Sequence, residues 1–289
     1  MKDTECVTFL QWALPRLRLY WPGYRKVRGL VCKRVARRMR QLGVAYVAAL
    51  RLHLERNPAE WQTIEALCSI PISRFYRDRG IFERLEREVL PALADAVVAR
   101  NDTVLDCWSA GCASGEEPYT LAILWHLRLK ARFPGLCLRV LATDIDLSLL
   151  ERAAAGCYRR SSLKELPPVL RDTAFDHSGY LLCVREELRR DIAFSRQDVR
   201  TPLSGRQFDL ILCRNLVLTY FQPRLQRDAM GTVLEALRFG GALVIGSQES
   251  PPDGLPALMP WPGARCIYRK LGSSVTASMA APSNPEVAP

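Results

Sequence analysis

Long apolar runs are missing from this sequence. No stretch of 18 or more apolar residues occurs in its 289 positions, so no membrane-spanning helix is expected. Histidine is scarce: His53, His126 and His177 are the only three, far apart and without ligand spacing. The ten cysteines include no Cys-x2-Cys pair. They read as buried or free thiols in a reducing cytoplasm, and no metal site is expected. No His/Asp or Cys/His arrangement points to nucleophilic catalysis. The first residues carry Asp3 and Glu5 and no long apolar core, unlike a secretory leader, so the expected location is cytoplasmic. There is no internal repeat.

What is present is an ordinary globular apolar fraction of 48% and a length that can bury one large or two smaller cores. The net charge of +11 is uneven: residues 1–60 hold 13 Lys/Arg against 4 Asp/Glu, a local excess of +9. Such a segment implies an acidic partner, whether nucleic acid, an anionic surface or an acidic protein. Within it, Val27, Leu30, Val31, Val35 and Met39 recur at helical spacing. Eight basic residues without one acid flank them over positions 25–40: Arg25, Lys26, Arg28, Lys33, Arg34, Arg37, Arg38 and Arg40. Further helices are expected from Val47, from Trp61 and over Ile81–Val98. The last contains Pro91, where a kink or restart is expected. Residues 1–95 therefore read as an all-helical, basic region.

From about 103 the pattern changes. Strands are expected at 103–108, 138–143, 208–213 and 241–246, with helices at 117–132, 147–155 and 223–238. This alternation implies an α/β fold with a mostly parallel sheet. Residues 96–271 form this second region. A small β insertion is expected at about 160–195, with strands at Tyr180–Val184 and Ile192–Phe194. The Ser/Ala/Pro-rich tail, 272–289, reads as disordered.

The most informative string is Trp108-Ser109-Ala110-Gly111-Cys112-Ala113-Ser114-Gly115-Glu116-Glu117-Pro118-Tyr119. It joins a strand to a helix through small residues, where α/β domains hold cofactors. Two acids in the first helical turn disfavour phosphates. They suit a ligand with cationic groups, such as S-adenosylmethionine (SAM), which carries an ammonium and a sulfonium. Asp144 ends the second strand, 33 residues after Gly111, where a carboxylate can accept both ribose hydroxyls. It could instead cap the next helix, but Asp146 is better placed for that.

The string resembles the CheR-type chemotaxis protein-glutamate methyltransferases, which use SAM. Four further blocks share the resemblance, in order: Ser73-Arg74-Phe75-Tyr76-Arg77-Asp78, Ala142-Thr143-Asp144-Ile145-Asp146, Phe208-Asp209-Leu210-Ile211-Leu212-Cys213-Arg214-Asn215 and Gly246-Ser247-Gln248-Glu249-Ser250. The resemblance implies a Rossmann-like SAM-dependent methyltransferase sheet, a small β insertion and an N-terminal helical domain. It places Glu117, Ser73 and Arg77 at the cofactor. It brings Asp198 and Val199 to the adenine, through the Asp198 side chain and the next backbone group. Arg214 and Asn215, at the carboxyl edge of a strand, join the cofactor-binding set. Arg77 and Tyr220 are the candidates for the catalytic centre. Arg77 has a bland alternative, a salt bridge such as one with Asp78. In the family the Arg-Asn pair is commonly followed by three apolar residues and Tyr-Phe. Here Leu216, Val217, Leu218 and Thr219 intervene, which puts the placement of Tyr220 in question.

The resemblance also gives the basic helix a partner, the acidic methylation helices of chemoreceptors. The short loop before Tyr180 implies an enzyme that works without a pentapeptide tether. The N-terminal aromatics Trp12, Tyr20, Trp21 and Tyr24 do not fit a typical receptor-binding start. Two competing classes remain: a nucleic-acid methyltransferase, which lacks an Asn/Asp-Pro-Pro-aromatic turn here, and a SAM-binding sensor. A related methyltransferase acting on another acidic protein or a small carboxylate is the nearer alternative.

Overall fold

Apolar residues alternate along the central strands and divide the core between two faces of one sheet. In β1 (Val104–Ala110), Leu105 and Cys107 face one side, while Trp108 and Ala110 face the other. In β7 (Phe208–Leu212), Leu210 and Leu212 oppose Ile211, and in β8 (Leu237–Val244), Ala242 and Val244 oppose Leu243. The first face is covered by helices Leu90–Ala99 and Glu116–Leu124. The second is covered by Asp3–Arg16, Arg28–Gln41 and Pro223–Glu235. These relationships come from a computed structural model that describes residues 2–253, 255 and 258–272. The tail expected to be disordered lies, beyond Gly272, outside the described residues.

The large sheet has seven strands in the order β6-β2-β1-β7-β8-β10-β9, with β2 at Cys137–Asp144, β6 at Ile192–Arg196, β9 at Leu258–Pro260 and β10 at Ile267–Lys270. The pairs β6-β2, β2-β1, β1-β7 and β7-β8 are parallel, while β10 runs antiparallel to β8 and β9. A separate three-stranded antiparallel sheet holds β3 (Cys157–Arg159), β5 (Leu181–Val184) and β4 (Phe175–Ser178) in the order β3-β5-β4. The expected insertion needs one correction. Ile192–Phe194 is not part of the small sheet; it pairs with β2, Val140 opposite Ile192, and forms an edge of the large one.

The helical half departs from its expected outline in two places, at Leu30 and at the domain division. Val31, Val35 and Met39 are buried at four-residue steps, but Leu30 is exposed, because neighbouring helical positions point about 100° apart. The kink or restart expected at Pro91 is present: the helical run passes through a π turn, Leu85–Val89, and resumes as α-helix at Leu90 with Pro91 in its first turn. Proline has no N–H to bond back, and that position tolerates the loss. The division expected between residues 95 and 96 falls inside this restarted helix.

The cysteines also differ from expectation. Cys6 pairs with Cys32 and Cys157 with Cys183, leaving six free thiols. Cys157 and Cys183 oppose each other directly on β3 and β5, a neighbour relationship that sequence spacing alone does not reveal. Among the described residues no helix is long and apolar enough to cross a membrane.

Candidate functional site

A cavity of about 810 Å³ opens at the carboxyl ends of the parallel strands. That volume is in the usual range for small-molecule sites. Its wall includes Gly111, Cys112, Ala113 and Glu117 from the glycine turn, Asp144–Leu149 from the end of β2 onward, and Arg196–Arg200 after β6. Ser73, Arg77, Arg214, Asn215 and Tyr220 also line it, as do Leu19, Tyr24 and Glu65 from the helical segment. All nine residues expected at the site from sequence therefore line one cavity.

The glycine turn explains the first wall. Gly111 has φ +78°, and a side chain there would strike Leu216. Gly115 has φ +90°, and a Cβ would come within 2.8 Å of the Ala153 Cβ. The turn is closed by the Gly111 and Cys112 N–H groups, both donating to the Thr143 carbonyl at 2.8 and 2.9 Å. Asp144 is held beside it. Its Oδ2 accepts from the Ala113 N–H at 2.9 Å and its Oδ1 from the Asp146 N–H at 3.0 Å. A carboxylate has about four acceptor sites, so each oxygen keeps capacity for a ligand hydroxyl. Burial raises the Asp144 carboxyl above its usual range, and the Asp146 charge adds to that against the backbone donors. Asp146 caps the helix Leu147–Ala155, accepting from the Ser148 N–H.

Glu117 and Arg214 form the floor. Glu117 Oε1 accepts from Ser109 Oγ at 2.7 Å and Oε2 from Arg214 Nη1 at 2.9 Å. Arg214 Nη2 donates to Asp78 Oδ2 and to the Arg77 carbonyl, both at 2.8 Å. Asp78 thus pairs with Arg214 rather than with Arg77, and Arg214 is buried with its donors largely given to the protein. The Ser73–Asp78 segment is fixed by Phe75, whose ring meets Tyr158 at 4.8 Å and Phe175 at 5.2 Å. Tyr76 and Asp78 both have φ +60°, an uncommon conformation for residues with side chains. Between them Arg77 faces the cavity. Its Nη1 donates to the Ile72 carbonyl at 2.7 Å, and it forms no ion pair among the described residues.

Asp198 is less free than expected. Arg200 donates to both of its oxygens at 2.6–2.9 Å and also reaches Glu65. Burial works to raise the Asp198 carboxyl, but the Arg200 bonds more than reverse this and hold it below the usual range. The adjacent Val199 N–H has no acceptor among the described residues. The extra residue before Tyr220 does not carry it away: Val217–Tyr220 makes one helical turn and Tyr220 lines the cavity. Burial raises the Tyr220 hydroxyl, opposed by the nearby Arg77 charge.

A family model described as "CheR methyltransferase, SAM binding domain" matches residues 72–257. The chain belongs to the CheR methyltransferase family. It is 36% identical over 197 residues to the chemotaxis protein methyltransferase of Listeria monocytogenes serovar 1/2a, covering 68% of this chain and 72% of that protein. It is 34% identical over 236 residues to that of Salmonella typhimurium, covering 77% and 76%. To that of Borreliella burgdorferi it is 30% identical over 203 residues, covering 68% and 71%. This CheR protein is thus a SAM-dependent methyltransferase, and SAM is its cofactor.

The cavity fits that cofactor in kind. Acceptor capacity remains on Asp144, a free amide on Val199, and carboxylate oxygens on Glu117 beside a glycine turn that only a small residue could form. Other contributors went unread in the sequence, Glu65, Arg200 and Tyr24 among them. Glu65 and Arg200 meet only through tertiary packing, so no spacing signals the pair. Tyr24 lies in the aromatic segment that did not fit, and its ring meets Tyr220 at 5.0 Å.

Proposed function

We propose that this CheR protein methylates glutamate carboxylates of a chemoreceptor-type protein. One observation carries the reading: a single cavity joins the Asp144 wall to an acceptor side where Arg77 has no carboxylate partner among the described residues. The roles in this reading are those that the resemblance implies, and the shared cavity supports them. Asp144 takes the ribose hydroxyls, and Asp198 and Val199 the adenine. Glu117, with Ser73 and Asn215, surrounds the methionine part, and Arg214 holds Glu117 and Asp78 in place. Arg77 and Tyr220 stand at the reacting end.

Bound SAM supplies an electrophilic methyl on a sulfonium. A glutamate side chain has a reference pKa of about 4.3, so it arrives ionised and needs no general base. The protein's task is to orient it and exclude water. Arg77 can offer two parallel donors to the incoming carboxylate.

The helix Arg28–Gln41 supports an acidic protein partner. Arg28, Arg34 and Arg38 are half-buried and bonded to Asp3, to the Leu67 and Ser69 carbonyls, and to Glu60. Arg25, Lys26, Lys33, Arg37 and Arg40 are exposed, with no ion pair among the described residues. The two-residue turn Gly179-Tyr180 between β4 and β5 leaves no extended loop there, which supports recognition without a tether.

The test is transfer of radiolabelled methyl from SAM to isolated receptor cytoplasmic helices, followed by mild base. Label released as methanol is expected. Base-stable label, transfer to RNA instead, or base-labile label only on another acidic protein or a small carboxylate would defeat the receptor assignment.

A further inference from the structure

Glu249 lies outside the cavity wall, yet it touches both ends of the loop that enters it. Its Oε2 accepts from the Asn215 N–H at 3.0 Å and from the Gly246 N–H at 2.6 Å. Its Oε1 accepts from the Thr219 hydroxyl. Asn215 begins the loop with φ +53°, and Thr219 immediately precedes Tyr220. One carboxylate therefore spans the segment 215–219 from first residue to last. Thr219 is the only hydroxyl among the four residues that separate Arg214-Asn215 from Tyr220-Phe221.

The surroundings make the clasp specific. A Cβ on Gly246 would collide with both the Asn215 amide and the Glu249 carboxylate, so only glycine lets those groups meet there. On the other side the loop has a fixed wall. The Tyr20 N–H donates to the Tyr220 carbonyl at 2.8 Å, and Gly23 lies against the Thr219 carbonyl. The Gln226 side-chain amide also donates to the Leu218 and Phe221 carbonyls, so the turn Val217–Tyr220 is held at its far end, while Glu249 holds its entry.

We propose that Glu249 is a positioning residue for methyl transfer, holding Asn215 and Tyr220 in the cavity by gripping the longer loop at Asn215 and Thr219. It touches neither substrate nor cofactor. The inference rests on the reading of Tyr220 as part of the reacting end.

The test compares Glu249→Gln, Thr219→Val, Thr219→Ser and the Gln/Val double variant in the full chain with SAM. Three quantities are read: amide hydrogen exchange over 215–221, SAM affinity, and methyl-transfer rate. Glu249→Gln is expected to speed exchange across 215–221 about tenfold and lower transfer about tenfold, with SAM affinity within about threefold. Thr219→Val should do the same, Thr219→Ser should restore both, and the double variant should be no worse than the poorer single. Unchanged exchange over 215–221 overturns the proposal. So does acceleration that spreads equally into β1 and β7, or fully additive losses. A wild-type protein that transfers nothing to receptor helices defeats the substrate reading, while the exchange comparison still decides the clasp.

Discussion

Arg214 Nη1 lies 2.9 Å from Glu117 Oε2, joining the end of β7 to the first turn of the helix after the glycine turn. The same guanidinium holds Asp78, at the end of the Ser73–Asp78 segment. Three sequence blocks, far apart in the chain, are thus fastened by one side chain that is 3% exposed. The cavity wall they share is a consequence of that junction.

Arg214→Ala should cost about 3 kcal/mol or more, because Glu117 and Asp78 would be left as uncompensated, mostly buried carboxylates. For a chain of this size that is a fall in melting temperature of roughly 6 °C or more. Arg214→Lys cannot span both acids and should recover only part of it. Calorimetry on the three proteins checks this, and equal melting points would show that the junction does not hold the fold.

Arg77 should behave in the opposite way. Its side chain makes one bond to a carbonyl and no ion pair among the described residues. Arg77→Ala is expected to leave the melting temperature within about 2 °C. It should weaken SAM binding or methyl transfer about tenfold or more, the scale of a lost charged hydrogen bond. Titration calorimetry with SAM and a transfer assay separate the two effects. Wild-type values in both would remove Arg77 from the site.

Much of this site was legible before any coordinates, for a physical reason. Gly111 and Asp144 are local devices, a small-residue turn after a strand and a strand-end carboxylate. Each leaves a mark in a few consecutive letters. The strands with buried alternation were legible for the same reason. Asn215 was reached only through the resemblance, and its φ of +53° belongs to the fold. What was not legible depends on partners distant in sequence. The pairing of Ile192–Phe194 with β2, the Arg200–Glu65 ion pair and the Cys157–Cys183 bond are set by topology, and no spacing records them. The doubt over Tyr220 arose because residue counting assumes a regular helix. The loop instead absorbs its extra residue between Asn215 at positive φ and a single helical turn.

Asp144 is expected to give SAM binding a pH dependence. Burial, working against the Asp146 and Ala113 backbone donors, holds its carboxyl above the usual range. The ionised form is the better acceptor for two hydroxyls, so affinity should fall as the pH drops through that raised value, sooner than an ordinary aspartate would require. The stability contribution runs the other way. A folded-state pKa above the unfolded one favours the fold at low pH, and that contribution is lost as the pH rises through the folded value. Asp144→Asn should weaken binding at neutral pH by about tenfold or more and flatten the acid limb. A wild-type affinity profile that is flat from pH 4 to 7 would contradict this.

Gly23 packs the helical segment against the loop that carries Tyr220. A Cβ there would overlap the Thr219 carbonyl, a backbone atom that cannot swing aside. Gly23→Ala should therefore push the Tyr220 turn and cost about 1–3 kcal/mol, with methyl transfer falling further than stability alone explains. Gly29→Ala is the matched control. Nothing lies within 4 Å of a Cβ there, and it sits in a helix, so it should be neutral or slightly stabilising. Equal behaviour of the two variants would mean that the close approach at Gly23 does not constrain the loop.

The exposed basic face makes the last prediction, and it separates recognition from chemistry. Lys33, Arg37 and Arg40 are exposed on the helix Arg28–Gln41, and its inner face buries Val31, Val35 and Met39. Reversing the three charges to glutamate leaves that inner face and the Arg38–Glu60 pair intact, so the fold should persist. None of the three lines the cavity, so SAM affinity should stay within about twofold. An acidic protein substrate would then be repelled where it was attracted. Its KM should rise about tenfold or more at low ionic strength while kcat changes little. Raising salt from about 0.05 to 0.5 M should shrink the difference, because the screening length between exposed charges falls from roughly 14 Å to roughly 4 Å over that range. A KM unchanged by the triple reversal at low salt would assign acceptor recognition to another surface and leave the cavity assignments untouched.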